Sequence, residues 1–79
     1  MIFNKYFDIH QSSIALSANL MSILKVKRKA SIDEVFVIAK SYIKNCPLEQ
    51  IQDSISYLFL LGLVCYNHES DSLEYLNED

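Results

Sequence analysis

The chain has 79 residues, of which 51% are apolar and 22% are charged, and its net charge is −3. A chain this short forms one domain at most, which we expect over residues 1–79. Its core is too small to bury all of the apolar residues, so some of them are expected to form a partner surface. Two cysteines and no apolar leader exclude a disulfide-rich secreted domain, and no apolar run is long enough for a membrane span, so we expect a cytoplasmic protein.

The N-terminal third contains a short aromatic segment and then a helix. Residues 2–9 alternate loosely between apolar and polar side chains, which predicts a short strand or an extended arm. The first helix is expected from about Gln11 to Val26, with Ser12 or Ser13 as its N-cap. It ends in the basic run Lys25–Lys29, whose cations favour the negative end of the helix dipole.

The second helix opens with the sequence SIDE, in which Ser31 and Glu34 predict a capping box. Apolar residues follow at spacings of three and four, which indicates one buried stripe. That stripe consists of Ile32, Val35, Phe36, Ala39, Tyr42 and Ile43. Pro47 ends this helix and is predicted to be the first residue of the third.

The third helix is expected to bury one apolar side and to end at Gly62, in the left-handed conformation of a C-cap. The apolar side consists of Leu48, Ile51, Ile55, Leu58, Phe59 and Gly62. Residues 63–67 and 73–77 then predict a β-hairpin. The sequence therefore predicts a mainly α winged-helix fold, with helices two and three as the helix-turn-helix and residues 63–77 as the wing. A three-helix bundle with an irregular tail is the alternative.

Charge is distributed unevenly along the chain. Residues 1–44 carry seven basic and three acidic residues, a net charge of +4, whereas residues 45–79 carry seven acidic and no basic residues. We therefore expect a surface that is basic on one side and acidic on the other.

In a DNA-binding winged helix, the exposed face of the third helix enters the DNA groove. Here that face is predicted to be acidic at its start and apolar near its end. This face consists of Glu49, Gln50, Asp53, Ser56, Tyr57 and Leu60. Binding to DNA depends on cations that neutralise phosphates, so we expect no direct sequence-specific DNA binding. We expect instead a protein partner, bound through Gln50, Asp53, Tyr57 and Leu60. Alternatively, Tyr57 and Leu60 pack beneath the wing or the N-terminal arm.

Two other segments are candidates for contact. Lys25, Lys27, Arg28 and Lys29 could bind an acidic partner or DNA phosphates, which gives the alternative function of a winged-helix DNA-binding regulator. A solvated loop that complements the helix dipole is the more common explanation for four such charges. Phe3 and Phe7, with Ile9, predict an apolar docking surface near the N-terminus and the hypothesis of a homodimer.

Catalytic and cofactor chemistry is not expected. Cys65 and His68 form a lone C-x-x-H pair, which falls short of the four ligands of a structural zinc site. Cys46, next to Pro47, suits a helix-cap position, and no histidine is placed to activate it. A single glycine excludes a glycine-rich phosphate loop. The chain is predicted not to be an enzyme and to bind no metal or cofactor.

Three features along the chain form a pattern: Asn4–Lys5, a first helix of small and leucine residues, and the late block Leu58, Leu61, Gly62 and Val64. In this pattern the sequence resembles the small middle components of bacterial ABC-three-component systems. The resemblance covers nearly the whole chain.

The resemblance implies a non-catalytic subunit that acts beside an SMC- or RecF-like ATPase and an effector-bearing subunit, in defence against phage or plasmids. Winged helices in such machines often serve as kleisin-like bridges. The resemblance therefore implies an adaptor, which agrees with an exposed third helix that carries no cation.

Overall fold

The computed structural model describes the backbone of residues 5–76 and the side chains of residues 12–76. Its elements in chain order are α1 (Lys5–Lys27), β1 (Lys29–Ser31), α2 (Ile32–Tyr42), α3 (Leu48–Leu60), β2 (Val64–Asn67) and β3 (Ser72–Tyr75). The fold is mainly helical with one small antiparallel sheet, in the strand order β1-β3-β2. The predicted fold class is confirmed, and the element order is compatible with the expected winged-helix layout.

Helix α1 begins earlier than predicted. Residues 5–9 are helical, so the prediction of a strand or arm over residues 2–9 is wrong for them, and residues 2–4 lie outside the described part. Ser12 and Ser13 lie inside the helix rather than at its cap, and Ser13 is fully buried. No glycine or proline precedes Pro47, so nothing interrupts the helix at the position where we expected it to start.

Helix α2 begins with the predicted capping box. The backbone N–H of Glu34 donates to Ser31 Oγ at 3.1 Å, and the backbone N–H of Ser31 donates to Glu34 Oε1 at 2.9 Å. Val35 and Ala39 from the predicted stripe are buried, whereas Tyr42 at the end of the helix is exposed. Pro47 is the N-cap of α3, one position before the predicted one.

Helix α3 is rotated relative to the prediction. Its buried residues are Gln50, Ile51, Ser54 and Leu58, whereas the predicted core residues Leu48 and Phe59 are exposed. The rotation follows from close packing against α1, because Ser54 Oγ lies 2.8 Å from the carbonyl oxygen of Ser13. Small polar side chains therefore occupy a helix contact for which the sequence pattern predicted large apolar ones.

Gly62 ends α3 as predicted, with a φ of +71°. The N–H of Gly62 donates to the carbonyl of Phe59 and the N–H of Leu63 donates to that of Leu58, each at 3.0 Å. These two bonds form a Schellman motif, which satisfies the last carbonyls of the helix. The left-handed residue turns the chain out of α3 and into β2.

The predicted hairpin is present, since β2 and β3 pair antiparallel with Tyr66 opposite Leu73. The structure adds β1, which pairs with β3 and places Ala30 opposite Leu73, both of them buried. Arg28, with a φ of 73°, turns the chain between α1 and β1. A strand of three residues is too short for an alternating pattern to identify it.

The core lies where the three helices meet the sheet. Its buried apolar residues are Leu16, Leu20, Leu24, Ala30, Val35, Ala39, Cys46, Ile51, Leu58, Val64 and Leu73. Every helix and strand contributes to this cluster, so the exposed apolar residues of α3 belong to the surface and not to an incomplete core.

Candidate protein-binding site

An apolar groove of about 410 Å³ runs between α1 and the end of α3. It is lined by Ile14, Ser17, Ala18, Met21, Tyr57, Leu58, Leu60, Leu61 and Leu63. We call it the α1/α3 groove. Leu60 is 82% exposed, Leu61 is 70% exposed and Ile14 is 53% exposed, so large apolar side chains face solvent along one continuous surface.

The structure brings two of the sequence-predicted residues into this groove. Tyr57 and Leu60 both line it, and Leu60 lies at the surface rather than beneath the hairpin. Sequence reasoning missed the α1 wall, which Ile14, Ala18 and Met21 provide. Their spacing of four and three residues describes an exposed apolar strip beside the buried one.

Close packing of the helices below the groove defines its floor. Ser17 Oγ lies 2.8 Å from the carbonyl oxygen of Ser13 and 3.0 Å from that of Ser54, while Leu58 is buried beneath the surface. On α1, Ala18 leaves space where a larger side chain would fill the groove. After α3, Gly62 turns the chain towards β2, and Leu63 directly after it completes the lining.

Two carboxylates lie on α3 before the residues that line the groove. Asp53 precedes Tyr57 by one helical turn and Glu49 precedes Asp53 by another, so all three share a side of α3. Both acidic residues are exposed, and residues 45–79 contain no lysine or arginine. This side of α3 is therefore apolar at its C-terminal end, where it lines the groove, and negative at its N-terminal end.

Of the remaining predicted contact residues, one is buried and two have side chains outside the described part of the chain. Gln50 was expected on the exposed face, and that expectation is wrong, because Gln50 is only 5% exposed. Its Oε1 atom lies 3.7 Å from the thiol sulfur of Cys46. Phe3 lies outside the described residues, as does the side chain of Phe7.

The basic cluster, Lys25 to Lys29, is partly paired within the chain. Lys27 Nζ lies 3.3 Å from Glu34 Oε2, and Lys29 Nζ lies 3.8 Å from Glu74 Oε2. The Arg28 guanidinium lies over the ring of Tyr75, 5.5 Å from its centroid. Two carboxylates thus accompany four cations, which lowers the local positive charge.

Hydrogen bonding and burial shift the pKa of several groups near these surfaces. The backbone N–H of Ser31 and the ammonium of Lys27 lower the pKa of Glu34. Burial raises the pKa of the Cys46 thiol, and the charge of Lys40 opposes that shift. At the tip of the hairpin, the hydrogen bond that Tyr66 donates to Asp71 raises the pKa of the Tyr66 hydroxyl.

Within residues 12–76, no group of three or more His, Cys, Asp and Glu side chains could hold a metal ion. No helix in the described part of the chain combines the length and the apolar character that crossing a bilayer requires.

Comparison with known protein families identifies a relationship for the larger part of the chain. The family model described as ABC-three component (ABC-3C) system Middle Component 8 matches residues 28–76, which is more than half of the chain. The match covers β1, α2, α3 and the hairpin, and therefore the α3 wall of the groove. No curated protein and no solved structure matches the chain.

Proposed function

The chain belongs to the middle component 8 family of ABC-three component systems, and from that membership we propose that it is a non-catalytic interaction subunit. Membership in a multi-component system implies partner subunits. The proposed partners are an SMC- or RecF-like ATPase and an effector-bearing subunit, in cytoplasmic defence against phage or plasmids. The chain would join the two, as a kleisin-like adaptor does.

The observation that supports this proposal is the exposed side of α3. Leu60 and Leu61 are large apolar residues at the surface, and burying a leucine fully against a partner contributes about 1.5–3 kcal/mol. Glu49 and Asp53 on the same helix oppose the phosphate contacts from which nucleic-acid binding gains most of its affinity. An apolar surface with a polar rim suits a protein partner.

The alternative function, a DNA-binding regulator that uses Lys25–Lys29, has weaker support. Phosphate binding needs free cations, and Glu34 and Glu74 lie beside two of the four. Exposed ion pairs contribute only about 0–1 kcal/mol. These two pairs therefore do not by themselves prevent phosphate binding, and DNA binding has to be measured. Titration of a fluorescent duplex at low salt tests it: we expect no saturable binding at micromolar protein, whereas tight binding that weakens steeply with salt would favour the regulator.

Co-expression with an SMC- or RecF-like ATPase subunit and an effector-bearing subunit of the same system tests the adaptor function. A tag on this chain is used for purification, and light scattering after size exclusion gives the composition of the complex. We expect one complex that contains all three subunits, and we expect the ATPase and the effector to remain separate when this chain is omitted. If the tagged chain elutes without the other subunits, or if they associate equally well in its absence, the proposal is wrong.

A further inference from the structure

We infer that the α1/α3 groove binds an amphipathic helix of a partner subunit, with that helix's apolar side in the groove and its basic residues beside Asp53 and Glu49. This inference rests on the proposed function. It adds the location of the binding site and the chemistry of the segment that occupies it.

The lining of the groove favours a macromolecular partner over a small molecule. Small-molecule sites combine an apolar pocket with several convergent polar groups that fix orientation. Here the lining residues are apolar except Ser17 and Tyr57. The Ser17 hydroxyl is already within hydrogen-bond distance of two backbone carbonyls of the same chain. The groove therefore offers apolar contact area but few polar groups for orienting a ligand.

The walls of the groove favour a helix over an extended segment. A strand gains affinity from unpaired backbone groups at a sheet edge, whereas both main walls here are the sides of helices, whose N–H and C=O groups are bonded within the helix. A groove between two helices accepts the side-chain ridges of a third. Leucine-like residues three and four positions apart on the partner would reach Ala18 and Leu60 together.

The distribution of charge determines which helix fits. Helices α1 and α3 run in the same general direction, because Ser13 lies beside Ser54 and Met21 lines the groove with Leu61. The carboxylates of Asp53 and Glu49 therefore lie one and two helical turns before Tyr57, next to the end of the groove at which Tyr57 and Ile14 lie. Lys25 follows Met21 by one turn on α1 and lies towards the other end. A helix with lysine or arginine at the Asp53 end gains electrostatic attraction, and an acidic helix is repelled there.

Photo-crosslinking in the assembled complex tests the inference. A benzophenone amino acid replaces Ala18 in the groove, and in a control chain it replaces the exposed Val37 on α2. We expect Ala18 to crosslink to a segment of another subunit that has apolar residues at spacings of three and four and more basic than acidic residues. Crosslinks to a second copy of this chain, or to an acidic segment, would overturn the inference. So would an absence of crosslinks in a complex that assembles.

Two substitutions measure what the groove contributes to affinity. Ala18→Trp fills the groove, and Asp53→Lys reverses the charge at one end of it. We expect each to weaken binding by about tenfold or more. The matched control Gln52→Lys adds a cation at an exposed position about 100° away around α3, and we expect less than about a threefold change. Circular dichroism confirms that each variant is folded.

The outcomes separate this inference from the function on which it rests. If the three subunits do not assemble with the wild-type chain, the proposed function fails. If they assemble and both groove variants bind as tightly as Gln52→Lys, the adaptor function stands and the partner helix does not lie in this groove.

Discussion

Ser54 on α3 places its hydroxyl 2.8 Å from the carbonyl oxygen of Ser13 on α1, and both side chains are fully buried. The carbonyl oxygen of Ser54 in turn lies 3.0 Å from the Ser17 hydroxyl. Small hydroxyl side chains let two helices approach closely while their polar atoms stay bonded. This contact sets the separation of α1 and α3, and it therefore sets the shape of the groove above it.

Substitution of Ser54 tests the importance of that contact. Ser54→Leu forces extra volume between α1 and α3, and we expect it to lower the free energy of unfolding by about 1–3 kcal/mol. Ser54→Ala removes only the hydroxyl and should cost about 0.5–1.5 kcal/mol. Ser56→Ala is the control, because its hydroxyl is exposed and bonds within α3 to Gln52. Urea denaturation measures all three, and equal stabilities for Ser54→Leu and wild type would contradict the close packing.

Gly62 is expected to be sensitive to substitution for reasons of backbone conformation alone. An added Cβ would meet nothing within 4 Å, but φ is +71°. We therefore expect Gly62→Ala to lower the free energy of unfolding by about 1–2 kcal/mol. Gly62→Asn should lower it less, because asparagine tolerates the left-handed region. Thermal and urea denaturation provide the measurement, and a fully stable Gly62→Ala would show that the C-cap can rearrange.

The pKa of Glu34 gives a prediction about pH. The bond from the Ser31 N–H and the charge of Lys27 lower this pKa below its ordinary value of 4.5 in the folded state. A lowered folded-state pKa stabilises the fold above the unfolded-state pKa, and that contribution is lost as the pH falls through the folded-state value. Glu34→Gln keeps an oxygen for the capping box but removes the titration.

We expect wild type to be more stable than Glu34→Gln at neutral pH, with the difference shrinking as the pH falls below 4.5. Urea denaturation of both proteins across that range measures the difference. A stability difference that stays constant with pH would mean that the Glu34 charge does not act in the capping box.

Local chemistry made part of this fold predictable. The capping box at Ser31, the interruption at Pro47 and the left-handed Gly62 each depend on one or two residues whose conformational preferences are strong. The hairpin was predictable because two short apolar runs flank a polar turn. These features made the order of α2, α3, β2 and β3 along the chain predictable.

Features that depend on tertiary contacts were not predictable in the same way. A helical wheel places Leu48 and Phe59 with the core, but the contact of Ser54 with α1 turns a different side of α3 inward, and Gln50 is buried with it. Strand β1 exists because β3 is available to pair with it. The α3 wall of the groove was accessible from sequence through Tyr57 and Leu60, whereas its α1 wall required the relative position of two helices.

The exposed apolar end of α3 is the surface that we propose binds a protein partner, and a matched pair of lysine substitutions compares it with an equally exposed apolar residue elsewhere. Leu60 and Val26 are each 82% exposed and lie in the last turn of a helix, where a cation is favourable. Only Leu60 lines the α1/α3 groove. The affinity of each variant for the purified partner subunits is measured by calorimetry or biolayer interferometry.

We predict that Leu60→Lys weakens partner binding by about tenfold or more while Val26→Lys changes it by less than about threefold. Equal affinities for the two variants and wild type would contradict the claim, because the apolar end of α3 would then lie outside the interface.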